Sequence, residues 1–332
     1  MFISIVIPTL NCETLIESCL NSINEQNFKN YEIIIIDGGS NDNTIQICKK
    51  YQCKVLEPGF KDNMEARRFF GVKESKGDYI FFIDSDNILP NKNTLSNLIE
   101  PFKIKDHNII ASYSKWYSYN KQSSLIDKYF CLLGVNDPIT FFLNKNDRLP
   151  FGQNKINFNY EKIINLKNFD LLFLNKNNLP VIGANGYLIK KKFIEKVLPK
   201  NPNDFFHIDI NLDILNYFKK EENCFGYCND IIIHQNKQSL YKALKKRISY
   251  WNVHTNILSS KRRYKVFDKT KPYDVINLVF FIIASVTFIF PVLQSIKGYY
   301  LTKNSLWFLH PFVCFFFFLA YSIGILKKVI NI

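Results

Sequence analysis

The first 110 residues alternate short, largely apolar runs with segments whose apolar residues recur near every 3.6 positions, and nothing else in the chain constrains its fold as strongly. Phe2–Ile7, Tyr31–Ile36 and Tyr79–Ile83 are runs of the kind that a strand buried on both faces requires. Between the first two, Cys12–Glu25 sets Leu15, Ile16, Cys19, Leu20 and Ile23 on one helical face. Further helices are expected over Asn43–Tyr51 and Lys61–Ser75, with a short strand at Cys53–Glu57. This βαβαβαβ order predicts a mostly parallel sheet with helices on both faces. No GxGxxG follows the first run, so an ordinary dinucleotide-binding fold is not supported.

The run Tyr79–Ile83 stops abruptly at Asp84-Ser85-Asp86. Ligands of open α/β sheets bind outside the carboxyl ends of the strands. Two carboxylates one residue apart in that position can bring oxygen ligands to a divalent cation, Mg²⁺ or Mn²⁺, which in turn can bridge a diphosphate. The plainer alternative is a loop start with two solvated acids, and the triplet alone does not choose between them. His234 follows the short strand Ile231–Ile233 and is a candidate further metal ligand, neutral imidazole being a common one. A loop histidine with ordinary hydrogen bonds is the competing reading.

Residues 112–179 have no clean period and read as a loop-and-helix insertion covering one end of the sheet. Regularity returns with a strand at Tyr187–Lys190, a helix from Lys191 and a helical face at Ile208, Leu212 and Leu215. Val275–Ile296 and Ser305–Leu326 contain no Asp, Glu, Lys or Arg, and each is long enough to cross a hydrocarbon core of about 30 Å as a helix. They are expected to form a transmembrane hairpin joined by Lys297–Asn304, with kinks at Pro291 and Pro311. The net charge is +14, and eleven basic residues against the single acid Asp268 lie between Lys237 and Lys271, directly before these stretches. That placement argues against a nucleic-acid partner and for an anionic membrane surface, with residues 1–274 and the tail 327–332 on the cytoplasmic side. Leu240, Leu244, Ile248, Trp251, Thr255 and Leu258 share a helical face opposite Lys242, Lys245 and Lys246, as in a helix lying in the headgroup plane; packing on the folded domain is the alternative. The N-terminus lacks the basic region of a signal peptide. Eight cysteines without a disulfide-like framework fit a reducing compartment, and Cys224 and Cys228, lacking a second pair, read as thiols rather than zinc ligands.

The motifs IVIPTLN (5–11), IIIIDGGSNDNT (33–44), EARRFFG (65–71) and GDYIFFIDSDN (77–87), in this order, resemble the inverting family 2 glycosyltransferases with the GT-A fold. GANGYLIKKKFIEKV (183–197) and HIDI (207–210) resemble the acceptor-side elements of that family. The resemblance implies a nucleotide-diphosphate-sugar donor bordered by Pro8, Thr9 and Asn11, with Asp37 at the base and Arg67 near the nucleotide. It implies Asp84 at the ribose or metal, Asp86 on the metal, and Asp209 as catalytic base. The implied organisation is a nucleotide-sugar half (1–110), an acceptor half (111–235), a basic amphipathic segment (236–274), a membrane hairpin (275–326) and the tail. The QxxRW motif of processive synthases is absent, so transfer of one sugar to a polyprenyl-phosphate, lipid-linked glycan or glycolipid is expected. A nucleotidyltransferase is disfavoured by the lack of a glycine- and lysine-rich loop after the first strand; a non-catalytic membrane scaffold retaining the fold is the other alternative.

Overall fold

The structure, a computed structural model, describes residues 1–153, 160–218, 223–235, 237, 239–253 and 261–330. The chain divides into two units, one of residues 1–116 and 159–234, the other of 117–158 and 235–332. Its strands are β1 (Ile3–Thr9), β2 (Tyr31–Asp37), β3 (Lys54–Leu56), β4 (Tyr79–Phe82), β5 (Asn87–Ile88), β6 (Asn108–Ser118), β7 (Lys162–Asn165), β8 (Phe169–Phe173), β9 (Tyr187–Lys190) and β10 (Asn223–His234). Its helices are α1 (Glu13–Asn24), α2 (Thr44–Lys50), α3 (Met64–Glu74), α4 (Thr94–Ile99), α5 (Leu125–Leu133), α6 (Pro138–Phe142), α7 (Lys191–Val197), α8 (Ile210–Tyr217), α9 (Leu240–Val253), α10 (Pro272–Thr287), α11 (Ile289–Thr302) and α12 (His310–Val329).

In the first unit the strands run in the order β3-β2-β1-β4-β9-β6-β10-β8-β7, with β5 paired to β10. The expected parallel portion is present: β1 is parallel to β2 and β4, and β2 to β3. Beyond β4 the recorded pairings turn antiparallel, β9 with β4 and β6, β8 with β10 and β7, β5 with β10. The sheet is therefore mixed rather than mostly parallel. β1 passes the expected Phe2–Ile7 run and continues through Pro8 to Thr9; the pairing with β4 stops at Val6, so a residue without an N–H is tolerated two positions later.

The stretch expected to be an insertion contributes β7, β8 and most of β6 to the sheet. Its strand character is masked by buried polar residues. Ser112, Ser114 and Lys115 are all buried on β6; the Ser112 hydroxyl donates to the Leu98 carbonyl at 2.5 Å, and Lys115 pairs with Asp170 at 2.5 Å. Each breaks an apolar run in sequence, yet Ser112 and Lys115 are satisfied in space.

The second unit groups 117–158 with the C-terminal helices instead of with the 111–235 half. Ile126, Tyr129, Phe130, Leu132 and Leu133 of α5 form one apolar cluster with Ala243 of α9, Trp307, and Val313 and Phe317 of α12. The apolar side of α9, through Ala243, Leu240 and Leu244, thus packs on its own chain. Residues 254–260, the end of the expected amphipathic helix, lie outside the described residues.

The first apolar stretch is not one straight span. It breaks after Thr287 into α10 and α11, whose axes differ by 88°, with Phe288 in a left-handed conformation at φ 62°. Pro291 explains the break: its ring would collide with the carbonyl four residues earlier, that of Thr287, and it has no N–H to donate there. Lys297–Thr302, expected as a link, is helical. Pro311 sits in the first turn of α12, where an N–H has no partner to lose, and the apolar helix runs from Ser305 to Lys327, partly buried. Among the described residues one helix is long and apolar enough to cross a membrane, or two if the bent pair counts as one span.

Candidate active site

The ends of β1 and β2 lie in register, Thr9 beside Asp37. Asp37 is fully buried, and its carboxylate is surrounded by donors from its own chain. Thr9 Oγ1 and Ser40 Oγ donate to Oδ1 at 2.8 and 2.6 Å, and the backbone N–H groups of Gly39 and Ser40 donate to Oδ2 at 2.8 and 2.6 Å. Four donors fill the acceptor capacity of one carboxylate, so Asp37 shapes the Gly38–Ser40 loop. Gly39, at φ 94°, holds a conformation that side chains disfavour. Ser40 Oγ also accepts from the Asn11 N–H at 2.8 Å, and Asn11 Oδ1 accepts from the Asn41 N–H at 2.8 Å, tying the two loops together.

Arg67, on α3, crosses this cluster. Its Nη1 donates to the Thr9 carbonyl at 3.1 Å, and a Cβ added at Gly38 would stand 1.9 Å from that nitrogen. Burial, reinforced by the neighbouring Arg68, pulls the Arg67 guanidinium below its ordinary pKa, while Asp37 pulls the other way. Its Nε is buried with no hydrogen-bond partner. Pro8 is buried at the same strand end, and Asn11 is exposed.

A second cluster forms where β4 ends, on the other side of β1. Asp84 Oδ1 accepts from Nη2 of the fully buried Arg68 at 2.6 Å. Asp86 Oδ1 accepts from Asn87 Nδ2 at 2.8 Å, and its Oδ2 lies 3.2 Å from His234 Nε2. The two-residue strand β5 makes this last contact: it pairs with the end of β10 so that Asn87 stands opposite His234. Asp84, Asp86 and His234 keep about a fifth of their side-chain surface exposed, at 21%, 19% and 19%, whereas Asp37 and Asp209 have none.

Asp209 closes a tight turn, His207–Asp209, that leads into α8; its N–H donates to the Phe206 carbonyl at 3.0 Å. The turn is attached to α3. Glu65 Oε2 accepts from the His207 N–H at 2.9 Å, and Oε1 accepts from His207 Nδ1 at 2.6 Å. The same Oε1 accepts from Arg68 Nη1 at 2.9 Å. Burial works against the charged form of Glu65, but His207 and Arg68 outweigh it and hold the carboxyl well below the usual glutamate range. Glu65, Arg68, His207 and Asn87 were not singled out from sequence. The three-residue spacing of Glu65 and Arg68 was the available signal, since such a pair shares a helix face.

Among the described residues no three His, Cys, Asp or Glu side chains are grouped to hold a metal ion by themselves. A diphosphate-bound cation does not need three, because substrate oxygens and water complete its shell. Ligand atoms at right angles around an octahedral ion stand about 3.0 Å apart, close to the 3.2 Å between Asp86 Oδ2 and His234 Nε2. This oxygen and nitrogen pair therefore fits a divalent cation. Cys224 and Cys228 are buried on β10, with the Cys224 thiol pushed up by burial to about 12, in keeping with inert thiols.

Comparison with known proteins places the chain in a family. The profile described as glycosyl transferase family 2 matches residues 4–196, more than half of the chain. Glycosyltransferase GlyA of Streptococcus pneumoniae serotype 4 is 26% identical over 211 residues, which make up 60% of this chain but only 29% of that protein. Poly(ribitol-phosphate) beta-N-acetylglucosaminyltransferase TarP of Staphylococcus aureus strain N315 is 26% identical over 286 residues, 81% of this chain and 83% of that one. Mannosyltransferase PcManGT from Pyrobaculum calidifontis, solved in complex with GDP-Man and Mn²⁺, has a TM-score of 0.53 at 11% identity over 99% of this chain and 87% of that chain, a likeness of fold alone. Motifs, sheet and profile agree, and the chain belongs to glycosyl transferase family 2.

Proposed function

We propose that this chain moves a single sugar, with inversion, from a nucleotide-diphosphate sugar to an acceptor held at a membrane. The observation that carries the donor side is the Asp86 and His234 pair, 3.2 Å apart beside the Arg68-bound Asp84, at the carboxyl end of β4. Negative charge builds on the diphosphate as the glycosidic bond breaks. A divalent cation held by Asp86 and His234 would supply Lewis-acid stabilisation of that charge. Imidazole in the ligand set favours Mn²⁺ over Mg²⁺, and Mn²⁺ accompanies GDP-Man in the PcManGT structure.

In this reading Pro8, Thr9, Asn11 and the Asp37-shaped loop border the nucleotide, with Arg67 close by. Asp84 serves the ribose or cation side. Asp209 has no exposed surface in this structure, so its service as general base, a step worth about 10²–10⁴-fold, requires acceptor binding to open a path to its carboxylate. A phosphate acceptor, already anionic near neutral pH, would depend on Asp209 less.

The membrane part of the proposal rests on the apolar residues that α10, α11 and α12 leave exposed, among them Ile276, Ile283, Ile289, Leu293, Phe312 and Leu326, and on the basic residues before them. The catalytic unit would then face the cytoplasm. A second acceptor class, a polyol-phosphate polymer, is favoured by the name of TarP, most of whose length this chain covers. Purified protein should be incubated with a panel of nucleotide sugars, Mn²⁺ or Mg²⁺, and either polyprenyl phosphate or poly(ribitol phosphate), with products identified by mass spectrometry. Cation-dependent transfer by the wild type, lost in Asp86→Ala, is expected. Full activity of Asp86→Ala would reject the site, and turnover without an acceptor-linked sugar would reject transfer.

A further inference from the structure

We propose that Glu65 is a positioning residue that couples the donor side of the site to the acceptor side, holding the turn of Asp209 in place relative to Asp84. The inference rests on the transfer reaction above and adds to it a residue that neither the motifs nor the comparisons assign.

The contacts form a continuous chain: Asp84 Oδ1 to Arg68 Nη2 at 2.6 Å, Arg68 Nη1 to Glu65 Oε1 at 2.9 Å, and Glu65 to His207 at 2.6 Å through the ring and 2.9 Å through the backbone. Burying Arg68 requires one counter-charge, and Asp84 already supplies it. Glu65 brings a second carboxylate into the same region, and that carboxylate grips ring and main chain of a single residue. Two attachments fix both the position and the rotation of His207. A carboxylate can only accept, so His207 Nδ1 carries the proton. The 3.4 Å approach of Arg68 Nη1 to that nitrogen is therefore contact rather than a hydrogen bond.

His207 opens the three-residue turn that Asp209 closes. With so few intervening bonds, a shift at His207 is passed to Asp209, which is itself fully buried. Misplacing a reacting group by about 1 Å costs on the order of 100-fold in rate. One side chain thus links the turn that carries Asp209 to the carboxylate of Asp84 at the end of β4.

The test uses residues 1–332 and two variants. Glu65→Gln keeps the shape of the side chain and removes its charge. His207→Ala removes the ring contact and leaves the bond from the backbone N–H. For Glu65→Gln, kcat should fall about 100-fold while the Kd for UDP or GDP with Mn²⁺ stays within about threefold of wild type. His207→Ala should lose about tenfold in kcat, and the double variant should be no worse than Glu65→Gln alone, as expected for groups acting as a unit. A readout independent of turnover is hydrogen exchange: nucleotide with Mn²⁺ should protect residues 205–210 in the wild type and not in Glu65→Gln. Unchanged kcat in both variants, or equal loss of nucleotide affinity and turnover, would overturn the proposal. So would unaltered protection of 205–210 in Glu65→Gln, or in His207→Ala should the first variant not fold. Absence of transfer by the wild type would instead refute the functional reading, leaving the exchange measurement to decide the coupling.

Discussion

At the scale of single residues, the site is built from carboxylates put to different uses by their surroundings. Asp37 is enclosed and holds a loop; Asp84 is bound to a buried guanidinium; Asp86 keeps part of its surface and meets an imidazole. Asp84, Asp86 and His234 stand out in the sequence because they follow apolar runs directly. Glu65, Arg68 and His207 do not, because their partners are remote in the chain and their spacing points only to a pair on one helix. Gly38 gives a sharp test of the first cluster. A Cβ there would displace the flexible end of Arg67 rather than backbone, so Gly38→Ala should cost stability at the low end of the range for overpacking, about 1 kcal/mol. Nucleotide affinity should fall about tenfold, a change of ~1.4 kcal/mol, as calorimetric titration would record.

Glu65 makes a further prediction about pH. Its carboxyl titrates below its ordinary value of 4.5 in the folded protein because of His207 and Arg68, even though burial opposes this. The stabilisation is thus fully present above that ordinary value and is lost as pH falls below it toward the folded-state value. Thermal unfolding followed between pH 6 and pH 3 should show a decline for the wild type that is shallower for Glu65→Gln. Parallel curves would mean that Glu65 is not held in its charged form.

Among elements, the parallel strands β1, β2 and β4 were legible because buried parallel strands are nearly continuous apolar runs. β6 escaped because its buried serines and lysine interrupt such a run, and β5 because two residues carry no pattern. The bend between α10 and α11 was expected at a proline, and it falls where that proline's ring excludes the preceding carbonyl rather than at the proline itself. Gly298 of α11 lies against the Trp307 ring, with a Cβ built there only 2.2 Å from it. The ring is almost fully buried. Gly298→Ala should therefore destabilise the second unit by about 1–3 kcal/mol, visible as a lower denaturation midpoint. An unchanged midpoint would show that the helix and the ring separate freely.

For the whole molecule, the sequence suggested a catalytic part ending near residue 235 and a separate membrane hairpin. The contacts divide it otherwise, because α5 and α6, which lie within the catalytic sequence, share an apolar core with α9, α10 and α12. That partition was hidden because the pattern of α5 indicates an apolar face without indicating what covers it. Removing residues 236–332 should leave Tyr129, Phe130 and Leu133 without their partners. The truncated chain is expected to aggregate or to require detergent, as size-exclusion chromatography would report. A monodisperse, nucleotide-binding 1–235 fragment would contradict this. Membrane attachment predicts sedimentation of the full chain with membranes and its release by detergent rather than by high salt.

The central claim is that Asp86, beside His234, holds a divalent cation that binds a nucleoside diphosphate. Calorimetric titration of residues 1–332 with UDP and GDP, with and without Mn²⁺, tests it most directly. The wild type should bind one of them at least about tenfold more tightly with Mn²⁺, a gain of ~1.4 kcal/mol, and Asp86→Ala should lose that gain while keeping its fold. Equal affinity with and without the metal, or an undiminished gain in Asp86→Ala, would contradict it.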